Sequence, residues 1–70
     1  MGKYEEALNC FQNALVVAEK KYGYEHHFVS ISLNNIGNTK KEQGKFEEAM
    51  HYFSESLRID EKIYGDLHPE

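Results

Sequence analysis

Four kinds of side chain in this sequence could do chemistry. Two carboxylate pairs, Glu5-Glu6 and Glu47-Glu48, are of the type that serves acid–base catalysis. Adjacent helix residues point about 100° apart, however, so neither pair converges on one substrate atom. Both are better read as first-turn charges, placed where the positive end of a helix favours carboxylates. Four histidines, His26, His27, His51 and His68, raise the possibility of a metal, but their spacing matches no ligand set and no Cys or Asp-rich loop joins them. Cys10 stands alone, without a neighbouring cue for a lowered pKa, and reads as a packing or surface residue. That leaves the carboxamides Asn34 and Asn38. They are four apart, share a helix face, and offer both donors and an acceptor to a peptide backbone. No nucleophile, base or cofactor constellation is present, so the expectation is a non-enzymatic protein without cofactor or metal.

The elements that must position these residues follow from a repeat. Gly2-Lys3-Tyr4-Glu5-Glu6-Ala7 recurs as Gly44-Lys45-Phe46-Glu47-Glu48-Ala49, and at this offset of 42 the overlap of 27 positions holds 12 identities. Phe11 aligns with Phe53, Leu15 with Leu57, Tyr22-Gly23 with Tyr64-Gly65, and His26 with His68. A fixed period of this size is the signature of stacked helical units.

Helical periodicity predicts a first helix over 3–22, with Tyr4, Ala7, Leu8, Phe11, Ala14, Leu15, Ala18 and Tyr22 on one face. Lys20 and Lys21 suit its last turn, and Gly23 can close it in the left-handed conformation. A second helix is predicted from His27 to Gln43, with Val29, Leu33, Ile36, Gly37 and Lys40 on its packed side. Ser30, Ser32, Asn34, Asn35, Gly37, Asn38 and Thr39 are poor helix formers, so this segment needs neighbours on both sides. Gly37 lets an adjacent helix come close. A third helix is predicted from Lys45 to Tyr64, with Phe46, Ala49, Met50, Phe53, Ser56 and Leu57 on its face, Ile59 and Ile63 widening it, and Gly65 closing it. Tyr4, Phe11, Phe46, Met50 and Phe53 are therefore expected in the core. Val16 and Val17 fall off the main stripe and would be exposed, where apolar patches drive association.

Seventy residues allow one small domain, and 40% apolar residues suit a folded chain. A net charge of −4 argues against nucleic acid or an anionic membrane as partner. Neither a membrane-spanning run nor a signal-peptide pattern is visible, and a lone cysteine permits no internal disulfide, so a cytoplasmic location is expected.

Leu33-Asn34-Asn35-Ile36-Gly37, then Gly44 to Ala49, then Phe53, Leu57 and Ile59, resembles the tetratricopeptide repeat (TPR), in the 42-residue variety seen in kinesin light chains. The resemblance covers nearly the whole chain, including a Gly65-Asp66-Leu67-His68-Pro69 connection. Three positions depart from the pattern: Lys40 replaces an aromatic and Ser56 a small Ala, which should weaken packing locally, and His27 stands where Pro69 stands in the next connection. The implied fold is all-α, three antiparallel helices in the order B–A–B of a solenoid. Residues 2–27 would be the second half of one repeat, 28–65 a complete repeat, and 66–70 the start of the next connection, within one domain over 1–70. The resemblance implies a protein-interaction scaffold whose A helix lines a groove, with Ile31, Asn34, Asn38, Lys41 and Glu42 facing a peptide or partner protein. About three repeats are normally needed for independent stability. One complete pair therefore implies either a piece of a longer array or a self-assembly unit that finishes its core by homodimerisation or helix swapping.

Overall fold

A computed structural model describes residues 2–65 and consists of α1 (Gly2–Tyr22), α2 (His27–Glu42) and α3 (Phe46–Tyr64), with no strand among the described residues. The all-α expectation and the three helices agree with this, to within a residue at each predicted boundary. The Gly65 to Pro69 connection, and with it His68, lies outside the described residues apart from Gly65 itself.

Two glycines turn the chain, Gly23 as the sequence predicts. Gly23 has φ +87° and donates its N–H to the Glu19 carbonyl at 3.0 Å, an αL closure of α1. Gly44 has φ +84°, and α2 ends in a Schellman motif, with Gly44 N–H on Lys41 O at 2.9 Å and Lys45 N–H on Lys40 O at 2.9 Å. Gly65 is different. It keeps right-handed helical angles (φ −57°, ψ −37°), so the expected left-handed closure is corrected here. Glycine permits either hand, and no atom of the described residues outside its own neighbourhood comes within 4 Å of where a Cβ would sit. At the start of α2, His26 is the N-cap, its Nδ1 accepting the Phe28 N–H at 3.1 Å.

Helix α2 sits between the other two; α1 and α3 each pack on it and their backbones do not meet. This is the support on both sides that its weak helix formers require. The seam with α3 runs antiparallel: His27 lies near Tyr64, Ser30 bonds Ser56 and Asp60, Gly37 faces Phe53, and Lys40 pairs with Glu48. Gly37 is the tightest point. A Cβ built there would lie 2.7 Å from Phe53 Cε1 and 2.9 Å from Cδ1, so the aromatic ring rests on the α2 backbone. The core joins all three helices through Ala18 of α1, Val29 and Leu33 of α2, and Ile59 of α3, flanked by Leu15, Tyr52 and Ile63.

The expected core membership fails on α3. Phe46 is 62% exposed, Met50 66% and Leu57 58%. They share one side of the helix, while Ala49, Ser56 and Ile59 on the adjoining side are buried against α2. A helix with apolar residues on two faces can bury only the face that has a neighbour. Val16 and Val17 are exposed, as their position off the stripe predicts.

Two of the noted departures are accommodated. Ser56 is buried and shares reciprocal hydrogen bonds with Ser30, so the expected loss of packing is offset by pairing. Lys40, in place of an aromatic, buries most of its stem, with the side chain 13% exposed, and its Nζ meets Glu48 Oε1 at 2.9 Å.

Substituting Gly37 with Leu is expected to cost about 1–3 kcal/mol or more by overpacking, a large share of what so small a core supplies. Gly37→Ala is informative beside it. Ala gains about 1 kcal/mol of helix propensity over Gly, but here its methyl meets Phe53. It should therefore destabilise the native chain and stabilise a Phe53→Leu background. Thermal and urea unfolding followed by circular dichroism measure both arms.

Candidate interaction surface

The outward side of α2 is what remains after its neighbours are seated. Val29, Ser30, Ser32, Leu33, Ile36, Gly37 and Thr39 are buried. Helical geometry at about 100° per residue then gathers Ile31, Asn34, Asn38, Lys41 and Glu42 within roughly 100° of arc. All five are exposed, Ile31 at 42%. No side-chain hydrogen bond among the described residues uses the carboxamides of Asn34 or Asn38, and the ion pairs among those residues involve other charges. The face thus offers free donors and acceptors, one cation, one carboxylate and one apolar contact. Asn35 differs: it is half-buried, and its backbone carbonyl accepts Thr39 Oγ1 at 3.0 Å.

Beside this face lies an apolar groove between α1 and α2 of about 610 Å³, whose walls include Phe11, Ala14 and Val17 on one side and Phe28, Ile31 and Asn35 on the other. Ile31 therefore belongs to both surfaces. Phe28, 48% exposed, is the groove residue that the helical pattern of α2 does not single out. Its place two residues after the capping His26, off the buried stripe, is the signal that would have found it.

Other reactive groups have structural partners. Ser30 Oγ lies 2.7 Å from Ser56 Oγ and donates to Asp60 Oδ1 at 2.7 Å. With Ser30 only 3% exposed, this hydroxyl cluster is a polar clasp between α2 and α3, out of reach of a substrate. His26 stacks on Tyr22 with ring centroids 4.3 Å apart, His27 faces the Tyr64 hydroxyl at 3.4 Å, and His51 is exposed on α3 against Tyr52. Among the described residues no three His, Cys, Asp or Glu side chains come together as a metal site. Cys10 is exposed.

Two carboxylates shape the local electrostatics. Glu55 accepts the Tyr24 phenol at 2.6 Å. That hydrogen bond first, then partial burial and the Glu55 charge, push the phenol up to about 12. Lys40, by hydrogen bond and by charge, holds the Glu48 carboxyl below its ordinary value.

Because the folded phenol is raised above its unfolded value, the Tyr24–Glu55 bond stabilises the chain fully below about pH 10, and that contribution is lost as pH rises towards about 12. Phenolate absorbance during an alkaline titration should lose its latest step in Tyr24→Phe, and the stability of this variant should fall less over that range. For the clasp, Ser30→Ala or Ser56→Ala alone should cost about 0.5–1.5 kcal/mol, since each removes hydrogen bonds while the remaining hydroxyl keeps a backbone or Asp60 acceptor. The double variant should cost less than the sum of the two, which a double-mutant cycle in urea would measure.

The tetratricopeptide repeat family model matches residues 1–69. No curated protein and no solved structure matches the chain. Among the described residues no helix is long and apolar enough to cross a membrane.

Proposed function

The chain belongs to the tetratricopeptide repeat family, and from that premise we propose that it is a non-catalytic interaction module that binds a peptide or partner protein along the exposed face of α2. The observation that carries this reading is the state of Asn34 and Asn38. Both are exposed at helical spacing on a segment where three of the other poor helix formers have structural duties. Ser30 clasps α3, Thr39 bonds the Asn35 carbonyl and Gly37 admits Phe53. The two carboxamides cost helix propensity without such a return, and a backbone ligand would supply one. Ile31 gives this face an apolar anchor, and Lys41 and Glu42 give it a polarity along the helix.

In the proposed arrangement residues 28–65 form one complete A–B repeat and 2–27 the B half of another, with the 42-residue period of the kinesin-light-chain variety. A second reading, self-assembly, is favoured by one observation. Val16 and Val17 of α1, and Phe46, Met50 and Leu57 of α3, expose apolar surface at both ends of the helix row. Light scattering separates the two: a mass of at least twice the 8.2 kDa chain supports self-assembly, and a monomer at high concentration removes it.

Asn34→Ala with Asn38→Ala is expected to abolish binding of the partner while leaving helicity intact, since both side chains point into solvent. Isothermal titration and far-ultraviolet circular dichroism of the double variant check this. Lost helicity would assign the residues a structural role instead.

A further inference from the structure

Helix α2 begins under a cap that can titrate. Ser, Thr, Asp and Asn usually supply the oxygen that accepts the first free N–H groups of a helix, and those oxygens remain acceptors throughout the neutral range. Here the acceptor is a ring nitrogen: His26 Nδ1 takes the Phe28 N–H at 3.1 Å. The backbone holds the ring to this task, with His26 extended (φ −139°, ψ 150°) and its own N–H on the Tyr24 carbonyl at 3.0 Å. Ser30 N–H bonds the His26 carbonyl at 3.1 Å, so the imidazole serves a donor that precedes the first helical bond. An Nδ1 that accepts carries no proton, which puts the single proton of the neutral ring on Nε2.

The same ring belongs to an aromatic cluster. It stacks on Tyr22 of α1 with centroids 4.3 Å apart and lies 5.1 Å from Phe28, which meets Tyr22 edge-on at 5.2 Å. Tyr22 and Phe28 both line the groove between α1 and α2. Once both ring nitrogens carry protons, no rotation of the imidazole offers Phe28 an acceptor, and two donors at 3.1 Å repel. Stacking on Tyr22 suits a charged ring, but it does not replace the lost acceptor. The charged and titratable groups around the cap give an imidazolium no partner. Lys21 of α1 has its Nζ 5.6 Å from the Tyr22 ring, and Glu19 acts on the Tyr24 phenol. Glu25 in the connection is paired with Lys62 of α3 at 3.2 Å, and His27 faces the Tyr64 hydroxyl at 3.4 Å. Among the described residues no carboxylate forms an ion pair with His26, and the positive end of the α2 dipole lies beside it.

We propose that His26 is a pH-sensitive cap: uptake of one proton from solvent at Nδ1 takes the acceptor from the Phe28 N–H, loosens the first turn of α2 and unsettles the Tyr22–Phe28 contact at the groove. Only the neutral ring makes the capping bond. Its stabilisation is therefore complete above about pH 7 and is lost as the pH falls towards about 5, across the ordinary titration range of imidazole. The device is separate from the Asn34–Asn38 face, which starts about two turns further along α2, so either proposal can fail without the other.

Nuclear magnetic resonance of the whole 70-residue chain, titrated from about pH 8 to about pH 5, tests this. At the alkaline end the His26 ring nitrogens should report the Nε2–H tautomer. On acidification the Phe28 amide proton should shift upfield with the same midpoint as the His26 ring, and the cross-relaxation between the Tyr22 and Phe28 rings should weaken. His26→Asn supplies a cap that does not titrate, so its Phe28 amide should hold its shift over the whole range. Over the same interval the thermal midpoint of the native chain should fall about 4–8 °C further than that of His26→Asn. His27→Gln should keep the native response. An Nδ1–H tautomer at about pH 8 overturns the proposal, as does a Phe28 amide indifferent to the titration of the ring. A response that survives in His26→Asn, or disappears only in His27→Gln, overturns it as well. Should His26→Asn fail to fold, the ring and amide signals of the native chain still decide.

Discussion

The absence of a side chain at Gly37 is the constraint on which the arrangement rests. Phe53 comes so near the α2 backbone that a methyl group there would sit 2.7 Å from its ring. Close approach at that point brings the rest of the seam into bonding range. Four turns of paired residues follow from it, from Tyr64 beside His27 to Glu48 beside Lys40. Helix axes usually lie 8–10 Å apart, and the side chains at the crossing decide where in that range they settle. Along the same seam Ser30 and Ser56 exchange hydrogen bonds at 2.7 and 3.1 Å.

That constraint also explains why α2 has the composition it does. Three of the residues that look wrong for a helix, Ser30, Gly37 and Thr39, make structural contacts. Ser30 needs a hydroxyl within a buried seam, where an unpaired polar atom would be costly but a reciprocal pair is satisfied. Thr39 spends its hydroxyl on the Asn35 carbonyl one turn back. The helix is thus stabilised from outside, by α1 and α3, and its own sequence is free to serve contacts.

Most of the architecture was legible in the sequence because it is carried by local rules. Periodicity marks three helices, and Gly23 and Gly44 take the left-handed conformation that only glycine adopts cheaply. Gly37 was readable as a point of close approach, although nothing local says which ring fills it. What was not legible depends on which neighbours are present. Periodicity places Phe46, Met50 and Leu57 on an apolar face, but burial requires a second helix, and α3 has one on its other side only. The Ser30–Ser56 clasp was missed for a related reason. Serine at 56 reads as a weakened alanine until its partner across the seam, 26 residues away in sequence, is known. The five-residue face of α2 was legible in its exposure, since a helix flanked by two others has one free side.

The repeat makes the two ends of the chain comparable in a way that composition cannot. Leu8 of α1 is 7% exposed, whereas its counterpart Met50 on α3 is 66% exposed; Val17 of α1 is 62% exposed, whereas its counterpart Ile59 is 2% exposed. The same two apolar faces therefore occur on both helices, and each helix buries the face that the other leaves open. Intrinsic hydrophobicity cannot cause this inversion, because the aligned residues are similar in kind. Position in the row causes it: α2 covers one side of α1 and the opposite kind of side on α3. Val17 on α1 and Met50 on α3 are thus exposed because each lies on the face of its helix that α2 does not cover.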